Sequence, residues 1–384
     1  MNISNTDKAR ITIIGAGFAA LTAARELRQR LPAADITLVS PATEFVYYPG
    51  LIWVPSGLRR GEELRVNLDA WLARHRISLH QGRVTGVSEG GHKVLTDNGE
   101  ITNDALLIAS GGRFLKAMPG IEHALTICAG ISAAEMIRDR LAAMKGGTIA
   151  LGFGTNPKEP AAMRGGPMFE LLFGLDTLLR RQGRRDQFRL VFFNAATEPG
   201  KRLGAKAVQG LLREMARRNI DTHLGHKILG FESGKVKTEG GEIPADLILF
   251  MPGMTGPDWL ANTDLPKSEG GFVVADAYCR ASGMDRVFVA GDAGSYPGPD
   301  WMPKQAHLAD LQAKAAAGNL VHVLRGQTPT AKFKPELVCI VDTLDKGILV
   351  YRSEKRSVVL PPMRLMHWAK RVFEWLYLRS LRNP

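Results

Sequence analysis

At 384 residues, with 45% apolar and 23% charged side chains, the chain is long enough for two or three domains around a large core and too apolar to be disordered. A net charge of +12 leaves nucleic acid, an acidic ligand or an anionic membrane surface as partners; with no zinc-finger spacing, basic zipper or RNA-stacking motif, no nucleic-acid role is expected. Three widely spaced cysteines, Cys128, Cys279 and Cys339, exclude a disulfide scaffold and a CxxC redox pair.

The polar start, Met1–Arg10, has neither the apolar core nor the cleavage site of a signal peptide, which points to a protein kept in the cytoplasm. No run reaches the ~18–20 apolar residues of a membrane span. Ile11–Ile14 is a short β-branched run that predicts a buried parallel strand. Gly15-Ala16-Gly17-Phe18-Ala19-Ala20 follows, then a helical pattern over Leu21–Leu31 and a second strand, Asp35–Val39. Strand, glycine turn, helix and strand within about 30 residues is the setting a dinucleotide fingerprint requires. Gly15 permits the tight turn, Gly17 lets the backbone approach a pyrophosphate, and Ala20 is small enough for helix–strand packing. The pyrophosphate is expected on the open N–H groups of the helix N-terminus. The second strand ends in Ser40-Pro41, where an acid for the ribose hydroxyls is usual, so that contact should be weaker or come from the backbone.

Further along, Asp104-Ala105-Leu106-Leu107-Ile108-Ala109-Ser110-Gly111-Gly112 reads as an apolar strand ending in a small-residue turn. A helix over Ser132–Met144 leads to a strand, Gly147–Phe153, that ends in the Gly-x-Gly of Gly152 and Gly154. Thr155–Pro167, with several prolines, then delays the next helix, Met168–Gln182. A pyrophosphate site needs the glycine turn beside the helix N-terminus, so tight NADH binding here is disfavoured. Phe188–Asn194 predicts a strand, Ala205–Arg218 an amphipathic helix, Ile220–His226 a strand and Lys227–Glu239 a hairpin; Glu242–Met251 leads into a linker, Pro252–Pro257. Val273–Arg280 reads as a β segment whose Cys279 is structural. Arg286–Gly294 is a strand closing in Gly291-Asp292, and Gln305–Leu324 is a long alanine-rich helix.

The Asp104–Gly112 and Arg286–Gly294 segments, taken with the N-terminal fingerprint, resemble the signature segments of the two-domain flavoprotein disulfide reductase superfamily. The resemblance implies FAD as the cofactor, with Asp292 on its ribityl chain. Trp301-Met302-Pro303-Lys304-Gln305-Ala306-His307 resembles the Pro-Lys element of sulfide:quinone oxidoreductases and of flavocytochrome c sulfide dehydrogenase flavoprotein subunits. So do Tyr47-Tyr48-Pro49-Gly50 with Trp53, Leu125-Thr126-Ile127-Cys128, Lys334–Asp342 around Cys339, and Lys370-Arg371-Val372-Phe373-Glu374. From this resemblance the FAD contacts are expected at Gly15, Gly17, Phe18, Ala19, Ala20, Ser40, Pro49, Val84, Ala109, Ser110, Gly111, Gly291, Asp292, Lys304 and Gln305. Catalytic roles fall to Cys339, Cys128 and Lys304; Lys304 and the helix start beside it would stabilise negative charge on reduced flavin. The family pairs two cysteines across the flavin, and the chain departs from it there: the second position, just before Gly166-Pro167, is Arg164. Two expectations follow: either Cys339 acts alone as a thiolate, with Arg164 or Lys304 lowering its pKa, or sulfide oxidation is lost and the protein serves another electron donor.

Pro361-Pro362 closes a strand region, Gly347–Leu360, and helical periodicity begins at Met363. Leu365, Ala369, Val372, Phe373 and Leu376 share one face. Arg364, Lys370, Arg371, Arg379 and Arg382 are expected on the other with Glu374, and Trp368 and Trp375 at the boundary. This pattern suits a helix lying on an anionic bilayer through 363–384.

The fold class expected is α/β: two Rossmann-like dinucleotide-binding domains plus a C-terminal α+β region ending in an amphipathic helix. The FAD domain would comprise 8–115 and 253–325, the altered second domain 116–252 and the C-terminal region 326–384. The resemblance implies a peripheral membrane flavoprotein, on the cytoplasmic face and either monomeric or homo-oligomeric, that passes electrons from sulfide or a related reduced sulfur donor to a quinone. A type II-like NADH:quinone oxidoreductase, a flavoprotein serving a cytochrome partner and a non-enzymatic redox-responsive FAD-binding protein are the alternatives.

Overall fold

The computed structural model describes residues 8–382. Most of the polar start and the last two residues of 363–384 lie outside the described residues.

Residues Ile11–Ile14 are all buried. A run with no polar face must be covered on both sides, and it lies in the middle of a parallel sheet. That sheet comprises β1 (Arg10–Ile14), β2 (Asp35–Ser40), β3 (Ser78–Gln81) and β4 (Ala105–Ile108), together with Val287–Val289 from far along the chain. Across the sheet the order is Val287–Val289, β4, β1, β2, β3, and all pairings are parallel. Helix α1 (Phe18–Arg30) starts directly after Gly17.

The second sheet is built on the same plan. Helix α2 (Ile131–Ala143) precedes β5 (Gly147–Phe153), and α3 (Gly166–Arg181) leads to β6 (Phe188–Asn194). Helix α4 (Ala205–Arg217), β7 (Asp221–Leu224) and β8 (Leu247–Met251) complete it, in the parallel order β7, β6, β5, β8. The rings of Phe153, Phe169 and Phe192 pack together where α3 meets this sheet.

Helix α5 (Ala306–Leu324) lies against α1, and the small residues on both make the approach possible: a Cβ on Gly291 would meet Ala309 and Ala19 at 3.2 and 3.3 Å. An antiparallel sheet of β9 (Glu336–Asp342), β10 (Gly347–Ser353) and β11 (Ser357–Val359) then carries the chain to α6 (Arg364–Arg382). Cys279 is buried in a turn with φ of +62°, rather than in a strand.

The terminal helix corrects the expected distribution of charge. Leu365, Trp368, Val372, Phe373, Trp375 and Leu376 are all at least half exposed. Lys370 and Glu374 do not join a solvent-facing polar side; they point into the protein with His367, Leu378 and Leu381. Arg379 lies over the Trp375 ring, within the apolar face. The helix is inside out, with buried ion pairs on its inner face and bare apolar side chains on its outer one. None of the described helices is long and apolar enough to cross a membrane.

Candidate functional site

The glycine turn after β1 has the backbone its sequence implies. Gly15 has φ of +117°, and a Cβ there would lie 2.4 Å from the carbonyl oxygen of Ala109, so no other residue fits. A Cβ on Gly17 would meet nothing within 4 Å. Gly17 caps α1 without a side-chain hydrogen bond, which leaves the first-turn N–H groups open. Ala19 and Ala20 are buried against the sheet. The Phe18 ring turns away from the turn, into a cluster with Phe45, Tyr47 and Tyr377 of α6. The Ser40 hydroxyl donates to the Ala42 carbonyl at 2.9 Å, so this side chain is already engaged where an acid is usual.

The elements after β4 and after Val287–Val289 converge on the same place. Ala109 meets the Gly15 turn, Gly111 has φ of +71°, and the buried Ser110 hydroxyl has no partner. Gly291 has φ of +73° and its N–H donates to Gln312 at 3.0 Å; Asp292 beside it is buried. Lys304 donates to the carbonyls of Asp292 (3.2 Å) and Gly294 (2.8 Å), its ammonium 3.8 Å above the Phe272 ring. Burial lowers its pKa to about 8. Gln305 caps α5; its amide donates to the Val338 carbonyl while its own buried oxygen is unpartnered. Gly291, Asp292, Lys304 and Gln305 line one cleft. Pro49 lies in the turn Tyr48–Trp53, and Val84, in the strand Val84–Ser88, packs on the core beneath the sheet. A glycine cradle that a Cβ would fill, an open helix N-terminus and two orphaned buried oxygens fit FAD.

The three expected catalytic residues are held apart by function. Cys339, on β9, faces the start of α3: its Sγ is 3.7 Å from where a Cβ on Gly166 would sit. Burial pushes this thiol up to about 12, with Glu170 adding to the rise and Lys370 opposing it. This corrects the expected thiolate: the cation acting on Cys339 is Lys370, not Arg164 or Lys304. Burial raises Cys128 to about 11, against the pull of Arg164. All three cysteines are free thiols.

Arg164 has a different partner. It forms an ion pair with Asp292 across 128 residues of sequence. The segment that delays α3 is folded rather than loose: buried Asn156 donates to the carbonyls of Met254 (2.9 Å) and Gly270 (3.0 Å). The segment 155–165 thus stands between the turn at Gly152 and Gly154 and the first residue of α3, and brings its cap, Gly165, back against the Phe153 ring.

A second cluster, missed in the sequence, links Cys339 to the terminal helix. Glu170 on α3 pairs with Lys370 on α6, and Lys370 also donates to the Ile340 carbonyl at 3.2 Å. Asp342 accepts from Trp53 Nε1 (3.0 Å) and lies 2.7 Å from His367 Nδ1. Arg59 pairs with buried Glu374 at 2.9 Å. The available signal was Glu170, a lone acid inside the apolar run Met168–Leu172.

The fold and this site define a two-dinucleotide-fold flavoprotein oxidoreductase that uses FAD. The Pyridine nucleotide-disulphide oxidoreductase family matches residues 9–313, and the chain belongs to it. It is 24% identical to the sulfide-quinone reductase of Aquifex aeolicus over 97% of this chain and 91% of that one. It is 22% identical to a type II NADH:quinone oxidoreductase of Staphylococcus saprophyticus over 85% of each chain. The X-ray structure of the Aquifex aeolicus sulfide:quinone oxidoreductase superposes with a TM-score of 0.89 and 22% identity, covering 98% of this chain and 92% of that one.

Proposed function

We propose that the protein oxidises sulfide, or a related reduced sulfur compound, and passes the electrons to a quinone at a membrane surface. The observation that carries this is the double role of α6. Its outer face is apolar and exposed, and its inner face sets Lys370 against the strand that bears Cys339. One element thus joins the lipid phase, where quinones reside, to the thiol. FAD, when bound, supplies the two-electron store between donor and acceptor. Oxidising hydrosulfide to zero-valent sulfur releases two electrons and a proton; reducing the quinone to quinol takes up two electrons and two protons.

Sulfide, added anaerobically to the FAD-loaded protein, should bleach the flavin band promptly, and a quinone should restore it. Cys339→Ala should slow the bleaching at least about tenfold; a variant that bleaches at the wild-type rate removes Cys339 from the chemistry. The rival reading, NADH:quinone oxidoreductase, is favoured by the staphylococcal relative and opposed by the folded segment between Gly154 and α3. Prompt bleaching by NADH and none by sulfide would decide for it.

The membrane role is tested separately. Phe373 is 58% exposed, and burying such a ring contributes roughly 1.5–3 kcal/mol. Phe373→Asp should therefore lower affinity for anionic vesicles about tenfold or more, without changing the thermal midpoint in detergent-free buffer. Equal vesicle binding by variant and wild type would show that the face does not enter lipid.

A further inference from the structure

Arg164 stands between the two halves of the candidate site. On one side its guanidinium pairs with buried Asp292, at the cofactor cleft. On the other, two residues along, Gly166 rests against Cys339 Sγ. The chain between them is pinned, because a Cβ on Gly165 would lie 2.7 Å from the Phe153 ring, so backbone and ring already touch. The backbone that carries Arg164 is therefore held in place, and Asp292 holds its guanidinium.

Its charge is not consumed there. A guanidinium has five N–H donors in a planar fork. Among the described residues, Asp292 is the only hydrogen-bond partner of the Arg164 side chain. It pulls against the burial that raises both Cys128 and Tyr48, and it adds to the lowering of Lys304 on the other side of Asp292. A partly open cation with donors to spare, at the cofactor cleft and two residues from the Gly166 backbone that faces Cys339 Sγ, is suited to a second, small anion.

We propose that Arg164 is the receptor for the electron donor, and that the donor binds as a small sulfur-centred monoanion of which hydrosulfide is the simplest. The anion docks on the free edge of the guanidinium while Asp292 holds the other edge. This rests on the proposed oxidation of a reduced sulfur compound and adds the charge state of the donor and the residue that selects it. It also explains what replaces a second cysteine in this chain: a positive charge that concentrates the anion at the site. A neutral thioether or an uncharged organic donor gains nothing from it.

The test uses the FAD-loaded protein and thiocyanate, a soft monoanion that does not reduce flavin. Thiocyanate should perturb the flavin absorption band saturably, and it should raise the apparent KM for sulfide while leaving kcat unchanged. Arg164→Gln should weaken thiocyanate binding at least about tenfold, roughly 1.4 kcal/mol, and raise the KM for sulfide by a similar factor. Arg164→Lys keeps the pair with Asp292 but not the two-edged fork; it should bind thiocyanate several-fold more weakly while retaining FAD, which covers the case in which the glutamine variant loses its cofactor. Unchanged thiocyanate affinity in either FAD-loaded variant would overturn the proposal. If thiocyanate binding depends on Arg164 but sulfide does not bleach the wild-type flavin, the receptor stands and the sulfide reading falls. If sulfide bleaches the flavin and its KM ignores both substitutions, the receptor falls alone.

Discussion

Gly17→Ala should purify with little or no flavin while its apo form melts within a few degrees of the wild-type apo form. Gly17 has an ordinary φ of −88°, and the new Cβ would meet nothing within 4 Å, so the protein itself has little reason to object. Alanine is a poorer helix cap than glycine by about 1 kcal/mol, which is small beside the whole stability of the fold. A pyrophosphate that hydrogen-bonds the open N–H groups of α1 must come close to this backbone, and a methyl at Gly17 would stand in its way. Losing those charge-assisted bonds is worth about 3 kcal/mol, or roughly a hundredfold in FAD affinity. Gly15→Ala provides the contrast. Its left-handed backbone carries a strain of about 1–3 kcal/mol for a residue with a Cβ, and that Cβ would lie 2.4 Å from the Ala109 oxygen. Gly15→Ala should lose FAD and stability together. The measurements are the flavin-to-protein ratio after gel filtration, the FAD dissociation constant by fluorescence quenching, and the melting midpoint of each apo protein. Wild-type FAD affinity in Gly17→Ala would mean that the pyrophosphate does not pass over this turn.

This pair of glycines also shows how much of the site could be read from sequence. The β1 turn and α1 were legible because their requirements are local. A β-branched run, a left-handed glycine and a helical period fit within about 30 residues and leave one arrangement. Asp292 was legible as a position, through its Gly-Asp strand end, but its partner was not. The Arg164–Asp292 pair spans 128 residues and Lys370–Glu170 spans 200, and no spacing rule connects residues that only the tertiary fold brings together. The correction at Cys339 has the same origin. Arg164 and Lys304 were natural candidates for lowering its pKa because they are basic residues in the same motifs; the residue the fold delivers is Lys370, carried in by α6.

Helix α6 marks a different limit. Its period locates an apolar face and a charged face, but it does not say how the charged face is satisfied. Basic residues on an amphipathic helix are usually solvated, and Arg364 and Arg382 are. Lys370 and Glu374 instead find buried partners, Glu170 and Arg59. The apolar face is thereby left outside, since the inner face is taken by ion pairs and by Leu378, Leu381 and Tyr377.

Lys370→Met should cost stability in a manner that depends steeply on pH. The Glu170–Lys370 pair is buried, and removing one member of such a pair leaves an uncompensated charge worth about 3–5 kcal/mol. Burial already pushes the Glu170 carboxyl up to about 7, with Lys370 pulling against it. An acid whose pKa is raised by folding contributes stability that is fully present below its unfolded value, near 4.5, and is lost as pH rises through the folded one. Without Lys370 the folded value climbs further. At pH 5 the variant's Glu170 is protonated and neutral, so the deficit should be small; by pH 9 deprotonation should bring out the full penalty. Lys370 itself is held above its usual value by Glu170 and Asp342 although burial opposes them, so its own titration lies above this window. Melting midpoints of the wild type and the variant between pH 5 and 9 would show two curves that diverge upward in pH. The double variant Glu170→Leu/Lys370→Met replaces the pair with apolar side chains of similar bulk. It should lose the divergence and come close to the wild type or exceed it, as buried ion pairs replaced whole commonly do. Curves that stay parallel across the range would mean that water reaches Glu170, and that α6 does not seal the ion pair beside Cys339.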